Sequence, residues 1–461
     1  MEPNCSLRFF NTTGPCYSDR HYMLPPEQRL VGAQLKRYIR DELYWLLHAP
    51  LQTGKTTFLK SWVREINTGI DAVACYVSVE DCQKITDWEK GMRILYQAIC
   101  DYAKLGSLPM PLLENIKTEG LLRTTLIKWA ELVAPKPLIV LFDDVDVLEG
   151  DTMISFLRQL RGGFASRGIG KFPVSIALVG MRDLKDYITA ANEGRAPNPG
   201  SPFNIKEDSV VLTNFRKDDV AALFAQRTAE NGQQITQDAL DYVYEQSKGQ
   251  PWIVNNLFKR VTLRILDEDS TATVTPALVE EARRQMVLAR ETHLDALAFR
   301  LKEPGVRGII EPILTGAFDP ELTEGDAFML CQDLGLIALD DGTPVIANPI
   351  YREVIAPHLT FGQQSAIPKP EWPWQKPDGS LDMNRILQEF QKFWRRHSEV
   401  LETKTVYTEA FPHLLLMAFL QRVLNGGGDG ERECAASRGR MDLEINMILK
   451  TYPLKLETII P

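Results

Sequence analysis

The chain has 461 residues, which is too long for a single hydrophobic core and predicts about three domains. Hydrophobic residues make up 44% and charged residues 25% of the chain, so the composition excludes a disordered or fibrous protein. The net charge of −9 excludes a wholly basic nucleic-acid binder, although it does not exclude a local basic face.

Cysteine usage and hydropathy indicate the cellular compartment. The 7 cysteines form no Cys-x-x-Cys pair, which predicts a reducing compartment with neither a disulfide framework nor a zinc site. The N-terminal residues lack the basic start and apolar core of a signal peptide. The densest apolar run, His413–Leu420, is too short to span a bilayer. We therefore expect a cytoplasmic protein without a membrane segment.

A nucleotide-phosphate loop is predicted near the N-terminus. An apolar strand, Leu43–Leu47, runs into a short loop that ends in Gly54-Lys55-Thr56, where a helix begins. Backbone N–H groups at a helix start bind phosphate, a lysine here faces the β- and γ-phosphates, and the hydroxyl can bind Mg²⁺. The candidate nucleotide-binding residues are Ala49, Gln52, Thr53, Gly54, Lys55, Thr56 and Thr57, and Ala49 replaces the glycine that usually opens this pattern.

Residues 8–30, before this strand, are rich in aromatic and turn-forming residues. They form either an arm packed on the core or a segment that wraps the nucleotide base.

Between residues 31 and 215, short apolar runs alternate with helical patterns, which predicts a parallel sheet covered on both faces. The predicted strands are Leu43–Leu47, Ala72–Val79, Leu138–Phe142, Val174–Val179 and Val210–Leu212. The predicted helices are Lys55–Ile66, Trp88–Tyr102, Leu121–Val133 and Asp151–Ser166.

Two adjacent carboxylates, Asp143 and Asp144, end the apolar strand Leu138–Phe142. In phosphate-loop enzymes the acid at such a strand end holds Mg²⁺, and the next acid activates the attacking water. Apolar strands also end in Asp simply because a turn follows. The phosphate loop upstream favours the catalytic interpretation, with Asp143 on Mg²⁺ and Asp144 as the base.

Two further motifs could face the nucleotide. Arg182 follows the strand Val174–Val179, where an arginine can sense the γ-phosphate; the alternative is a surface ion pair with a nearby aspartate. The run Gly249-Gln250-Pro251 opens a predicted helix whose N-terminus could contact the nucleotide through Pro251. On the sequence alone, an ordinary helix start is the favoured interpretation of this second motif.

The rest of the chain divides by composition. Residues 216–290 are helical throughout, with helices predicted at Arg216–Glu230, Thr236–Ser247, Pro251–Leu266 and Pro276–Ala289. Residues 291–360 contain short helices and then a hairpin around Asp341 and Gly342, which is typical of a winged helix. Residues 361–380 are a linker rich in Pro and Trp. Residues 381–461 form the C-terminal module.

The chain resembles the prokaryotic AAA-like ATPases of the signal-transducing STAND type. The resemblance covers about residues 8–358 and is carried by Gln52-Thr53-Gly54-Lys55-Thr56, Asp143-Asp144, Gly180-Met181-Arg182 and Gly249-Gln250-Pro251. It implies an α/β P-loop NTPase core over 1–215 with the phosphate-loop strand central, an all-α lid over 216–290 and a winged-helix-like domain over 291–360. It also implies a switch, in which ATP binding and slow hydrolysis with Mg²⁺ change how the appended domains pack.

The C-terminal module is similar to a PD-(D/E)xK nuclease, a small α+β fold. Glu409 and Asp442 match the first two metal-binding positions of that family, and Glu457 lies at a suitable distance for the third. Ile459 stands where the family has its lysine, so we expect the module to be truncated or degenerate. Its function would otherwise be Mg²⁺-dependent DNA cleavage.

Three functions follow, in order of preference. The first is an ATP-hydrolysing switch that controls its appended domains. The second is an ATP-regulated DNA nuclease, and the third is a scaffold that binds nucleotide without hydrolysis. The expected ligands are ATP and Mg²⁺. The expected partner is an unidentified protein or a second copy of the chain, and DNA could bind through the winged helix or the C-terminal module.

Overall fold

The computed structural model describes residues 8–31, 33–69, 71–114, 117–167, 170–181, 206–289, 292–315, 318–355, 359, 376, 382–402, 416, 419, 433–436, 442–447 and 450–455. The described residues form two compact units. The first lies within Met1–Ile235 and Gly249–Thr273, and the second within Thr236–Lys248 and Val274–Pro461. No helix in these ranges is both long and apolar enough to cross a bilayer.

The first unit contains a six-stranded sheet in the order β1-β6-β2-β5-β4-β3. Five neighbouring strands run parallel, and β1 pairs antiparallel with β6 at one edge. The strands are β1 Leu30–Val31, β2 Tyr44–His48, β3 Val73–Ser78, β4 Leu138–Asp143, β5 Ser175–Gly180 and β6 Lys206–Leu212. The five predicted strands are therefore all present, and the α/β expectation is confirmed.

Helices cover both faces of this sheet, as the near-continuous apolar strands require. In β2, Tyr44 and Leu46 face one hydrophobic cluster while Trp45 and Leu47 face the other, following the two-residue period of a strand. The helices are α1 Leu35–Arg40, α2 Lys55–Thr68, α3 Trp88–Leu105, α4 Leu121–Val133 and α5 Gly150–Ala165. Helices α3, α4 and α5 join the first cluster, and α1 and α2 join the second.

The strand order places the site. Strand β2 lies in the middle of the sheet, and β5 separates it from β4. Because the strands are parallel, their carboxyl ends meet at one edge, where ligands bind in open α/β sheets. The predicted phosphate loop follows β2 at this edge, and the predicted carboxylate pair follows β4.

The first unit is completed by α6 Lys217–Asn231, α8 Pro251–Lys259 and the arm before the sheet. Phe10 of the arm is 1% exposed and its ring packs against Phe224 and Phe258. The arm thus packs on these helices, as one of its two interpretations predicts.

A π-helical turn, Arg260–Ile265, follows α8 where the sequence predicts one continuous α-helix. The hydroxyl of Thr262 in this turn donates to the Phe258 carbonyl.

The second unit is helical with a hairpin. Its elements are α7 Gln237–Ser247, α9 Pro276–Leu288, α10 Thr292–Arg300, α11 Pro304–Thr315, α12 Asp326–Asp333, β7 Ile337–Asp340, β8 Thr343–Ile346 and a helix over 349–355. The predicted hairpin is present. Arg283 links these elements, because its guanidinium pairs with Glu280 of the same helix and with Glu353.

The C-terminal elements of the second unit are α13 Met383–Glu402, β9 Glu433–Ala436, β10 Asp442–Met447 and β11 Lys450–Lys455. The three strands form an antiparallel sheet with β10 in the middle. The buried rings of Phe390 and Phe393 pack against Phe419.

Candidate nucleotide-binding site

The loop between β2 and α2 reverses direction at two left-handed residues. These are Gln52, with φ 60°, and Gly54, with φ 96°. Ala49 does not adopt a positive φ, is 1% exposed, and donates its backbone N–H to the Gly180 carbonyl of β5 at 3.3 Å. The glycine that usually opens this pattern is therefore not required by the backbone here.

The side chain of Lys55 folds back over the start of the loop. Its Nζ donates to the Ala49 carbonyl at 2.7 Å and to the Pro50 carbonyl at 3.0 Å. The Thr53 hydroxyl also donates to the Pro50 carbonyl, at 2.8 Å. These contacts hold the lysine at the mouth of the loop, within reach of a phosphate bound there.

Two side chains from distant parts of the first unit hold the remaining loop carbonyls. The Gln250 Nε2 lies 3.4 Å from the carbonyl oxygens of both Leu51 and Gln52. The Arg29 Nη1 donates to the Thr53 carbonyl at 2.9 Å. All five carbonyls from Ala49 to Thr53 thus accept side-chain hydrogen bonds, while the N–H groups at the start of α2 are the groups that could bind an anion.

A buried carboxylate lies beside the first turn of α2. The Thr56 hydroxyl donates to Asp143 Oδ2 at 2.7 Å, and the Tyr76 hydroxyl donates to the same oxygen at 3.1 Å. Asp143 is fully buried, and burial together with the negative charge of Asp144 raises its pKa to about 6. The sheet therefore brings together the two residues that the sequence predicts as Mg²⁺ ligands, although they are far apart in the chain.

Asp144, the residue that follows Asp143, is held by different contacts. Its φ of 62° is left-handed, a conformation that aspartate tolerates better than most residues. Its Oδ2 accepts a hydrogen bond from the Ser78 hydroxyl at 2.8 Å, and its N–H donates to Asp143 Oδ1 at 3.1 Å. The carboxylate is consequently held at the end of β3, next to but separate from the buried one.

A further carboxylate, Asp146, adds negative charge to the site. Its Oδ1 lies 3.1 Å from the position of a Cβ built on Gly180, at the end of β5. Burial lowers the pKa of Lys55, and the negative charges of Asp146, Asp143 and Asp144 oppose that shift. The lysine ammonium therefore stands between loop carbonyls and three acids.

The donor set fits Mg²⁺ bound together with phosphate. Hydroxyl and carboxylate oxygens are the ligands that Mg²⁺ prefers, and Mg²⁺ in nucleotide sites takes one or two protein ligands plus phosphate oxygens and water. Among the residues that the structure describes, no three His, Cys, Asp or Glu side chains are placed to hold a metal by themselves. The pair Thr56 and Asp143 matches this sparse arrangement.

The helix start at Gly249-Gln250-Pro251 contacts the loop directly. Gln250 caps α8 by accepting from the Ile253 N–H at 2.7 Å, while its Nε2 faces the loop carbonyls. Pro251 is the first helical residue and is buried. The favoured interpretation of a helix start is confirmed, and the Gln250 amide also reaches the loop.

The structure describes two of the other predicted site residues, Thr57 and Asp442. Thr57 is in the first turn of α2, where its hydroxyl accepts from the Cys16 N–H of the arm at 3.0 Å. Arg182, Glu409 and Glu457 lie outside the described residues. Asp442 begins β10 and is paired in register with Lys455 of β11.

Sequence reasoning missed Arg29, Tyr76, Ser78 and Asp146. Ser78 could have been found, because a polar residue at a strand end reaches the neighbouring strand end once the strand order is known. Asp146 could also have been found, because it lies only two residues after Asp144 and therefore close to the same strand end. Arg29 has no local signal, since its carbonyl partners lie 24 and 184 residues away in the chain.

Solved structures of known proteins are similar to this chain in fold. No protein-family model matches the chain, and no curated protein matches it. A Walker-type ATPase of Pyrococcus abyssi is similar in structure, with a TM-score of 0.53 and 17% identity over 75% of this chain and 99% of that chain.

Two other solved structures give weaker matches. Cdc6p from Pyrobaculum aerophilum matches with a TM-score of 0.40 and 14% identity, over 71% of this chain and 91% of that chain. A RuvB variant from Thermotoga maritima matches with a TM-score of 0.38 and 13% identity, over 70% of this chain and 90% of that chain. The strand order, the loop and the likeness to the Walker-type ATPase give the first unit the α/β fold of a P-loop NTPase.

Proposed function

We propose that the protein binds Mg-ATP at this loop, hydrolyses it slowly and acts as a STAND-type switch. The observation that carries the proposal is the 2.7 Å hydrogen bond between Thr56 and Asp143. It joins a phosphate-loop hydroxyl to a buried carboxylate at the end of β4, two strands away from β2 in the sheet. These two residues would hold Mg²⁺ bound with the nucleotide, and the metal would supply positive charge to the phosphates.

Each side chain then has a role. Lys55 exchanges its loop carbonyls for phosphate oxygens, while Thr56 and Asp143 hold the metal. Asp144, fixed by Ser78, accepts a proton from the attacking water, and Arg182 senses the γ-phosphate. Bound Mg²⁺ neutralises the phosphate charge that develops during phosphoryl transfer.

The route by which the site controls the rest of the chain is the start of α8. Gln250 binds two loop carbonyls and caps α8, so a change in loop conformation alters the support of that helix. We propose that this change is passed to the helical lid at 216–290, the winged-helix-like domain at 291–360 and the module at 381–461. The partner is a protein or a second copy of the chain.

Nucleotide binding and turnover test the proposal separately. Wild type is expected to bind Mg-ATP in an equilibrium titration and to release phosphate slowly. Lys55→Ala should lose binding, because it removes the charge that faces the phosphates. Asp144→Asn should keep binding and lose phosphate release, since the amide cannot accept the proton.

Two results would decide against the switch. A wild-type protein that binds no nucleotide removes the site altogether. A wild-type protein that binds ATP but releases no phosphate over hours, with or without DNA, supports the non-hydrolysing scaffold instead.

A DNA nuclease is the second candidate, favoured by the position of Asp442 at the start of the middle strand of an antiparallel sheet. Under this proposal Glu409, Asp442 and Glu457 hold Mg²⁺. A Mg²⁺-dependent cleavage of DNA that Glu409→Ala abolishes supports it. A wild-type chain that leaves linear and supercoiled DNA intact, with ATP present, removes it.

A further inference from the structure

Arg29 is a buried cation on the outer side of the phosphate loop. The residue is 7% exposed, and its Nη1 donates to the carbonyl oxygens of Thr53 and Thr213, both at 2.9 Å. The guanidinium carbon also lies 4.9 Å from the centre of the Phe215 ring. The side chain thus ties the loop to the end of β6.

Its charge has no close counterion in the described part of the chain. The ion pairs found there include none made by Arg29, and its buried Nε has no hydrogen-bond partner. Burial lowers its pKa to about 10, an effect that the charge of Asp219 opposes. That carboxylate is engaged elsewhere, because it accepts a hydrogen bond from the Arg216 N–H at 2.8 Å. A buried charge in this state is costly unless a ligand compensates it.

The guanidinium is directed at the start of α2. A Cβ built on Gly54 would lie 3.0 Å from Arg29 Nη2, so the guanidinium approaches the backbone of this glycine closely. Because the carbonyl and N–H of one peptide unit point in opposite directions, holding the Thr53 carbonyl outward directs the Gly54 N–H into the loop. The positive end of the helix dipole and Lys55 lie at the same place. Three positive groups, Arg29, Lys55 and the start of α2, therefore converge at the loop where we propose that phosphate binds.

We propose that Arg29 is a positioning residue for the nucleotide phosphates, which orients the Thr53–Gly54 peptide and supplies a buried positive charge behind the loop. This inference rests on the proposed nucleotide site. The anion it serves is a di- or triphosphate, because the charge acts where the loop N–H groups gather. Loss of the charge weakens binding of ADP and ATP together, since both carry phosphates in the loop.

The test compares three substitutions by titration of Mg-ADP. Arg29→Met keeps the apolar stem and removes the charge and the donors, and should weaken binding at least tenfold. Arg29→Gln keeps a donor without charge and should bind almost as weakly as the Met variant. Arg29→Lys restores the charge and should bind within about threefold of wild type, a difference of less than about 0.7 kcal/mol. Arg40→Met removes an exposed arginine of α1 and should leave the affinity for Mg-ADP unchanged.

The outcomes separate this inference from the proposed function. If Arg29→Met binds as wild type while Lys55→Ala does not bind, the inference is wrong and the nucleotide site stands. If wild type binds no nucleotide, the proposed function itself is wrong. If Arg29→Met fails to fold, the Lys and Gln variants decide, and equal affinities for these two overturn the role of the charge.

Discussion

A Cβ added to Gly249 would lie 1.8 Å from the carbonyl oxygen of Phe215. The two backbones touch because the Phe215 N–H donates to the Gly249 carbonyl at 2.8 Å. This contact places the start of α8 against the chain that leaves β6, and so fixes where Gln250 meets the phosphate loop.

Gly249→Ala is therefore expected to be strongly destabilising. The substitution combines a left-handed φ of 73° with a backbone clash, and overpacking of this kind costs about 1–3 kcal/mol beyond the backbone strain. Gly232→Ala is the matched control, since Gly232 has φ 82° and nothing within 4 Å of an added Cβ. Thermal unfolding should show a clearly larger loss for the first variant, and equal losses would contradict the contact.

Thr56→Val is expected to weaken binding of Mg-ATP at least tenfold. Valine keeps the shape of threonine but removes the hydroxyl that would bind Mg²⁺ and that donates to Asp143 in the unliganded site. Thr56→Ser keeps the hydroxyl and should retain most of the affinity. Titrations with Mg²⁺ and with EDTA should show that the loss depends on the metal, and a metal-independent loss would argue against Thr56 as a ligand.

Gln250→Glu is expected to release the loop from α8 without uncapping the helix. Glutamate can still accept the Ile253 N–H, but its carboxylate cannot donate to the carbonyls of Leu51 and Gln52. Hydrogen exchange should speed up at residues 49–54 and stay unchanged at 251–259. Faster exchange in α8 alone would show that Gln250 serves only as a cap.

The buried pair of His293 and Tyr351 in the second unit predicts a pH dependence. Their side chains are 2.8 Å apart, and burial lowers the pKa of His293 to about 4 from its usual 6.5. Between these values the unfolded chain binds a proton that the folded chain does not, so stability is full above pH 6.5 and is lost as the pH falls.

His293→Gln removes this titration and keeps a hydrogen-bonding group. Urea unfolding at pH 7, 6 and 5 should show wild type losing stability relative to the variant by up to about 1.4 kcal/mol per pH unit. Parallel pH profiles for the two proteins would contradict the assignment.

Much of the first unit could be predicted from the sequence, because its strands are buried on both faces and read as continuous apolar runs. The predicted strands Leu138–Phe142 and Val174–Val179 agree within one residue with the strands found. Strand β6 begins at Lys206, whereas the prediction began at Val210, since the polar residues at its start carry no apolar pattern. Local patterns therefore recover the core strands and lose their polar ends.

The division of the helices between the two units could not be predicted. The helical patterns of 216–290 form one run in the sequence, yet α6 and α8 belong to the first unit while α7 and α9 belong to the second. Amphipathic periodicity shows that a helix has an apolar face but does not say which core that face enters. The contacts of Arg29 and Gln250 could not be predicted from the sequence either, because both join residues that are far apart in the chain.

The backbone of Ala49 bears on how such loops are recognised in sequences. Strain in this loop is concentrated at Gln52, a non-glycine residue in a left-handed conformation, whereas Ala49 is unstrained and bonded to β5. Search patterns that insist on an opening glycine will overlook chains of this kind. A rule built on Gly-Lys-Thr and on a carboxylate-bearing strand two places away in the sheet would retain them. Gln52→Gly is the substitution that would relieve the left-handed strain of this loop.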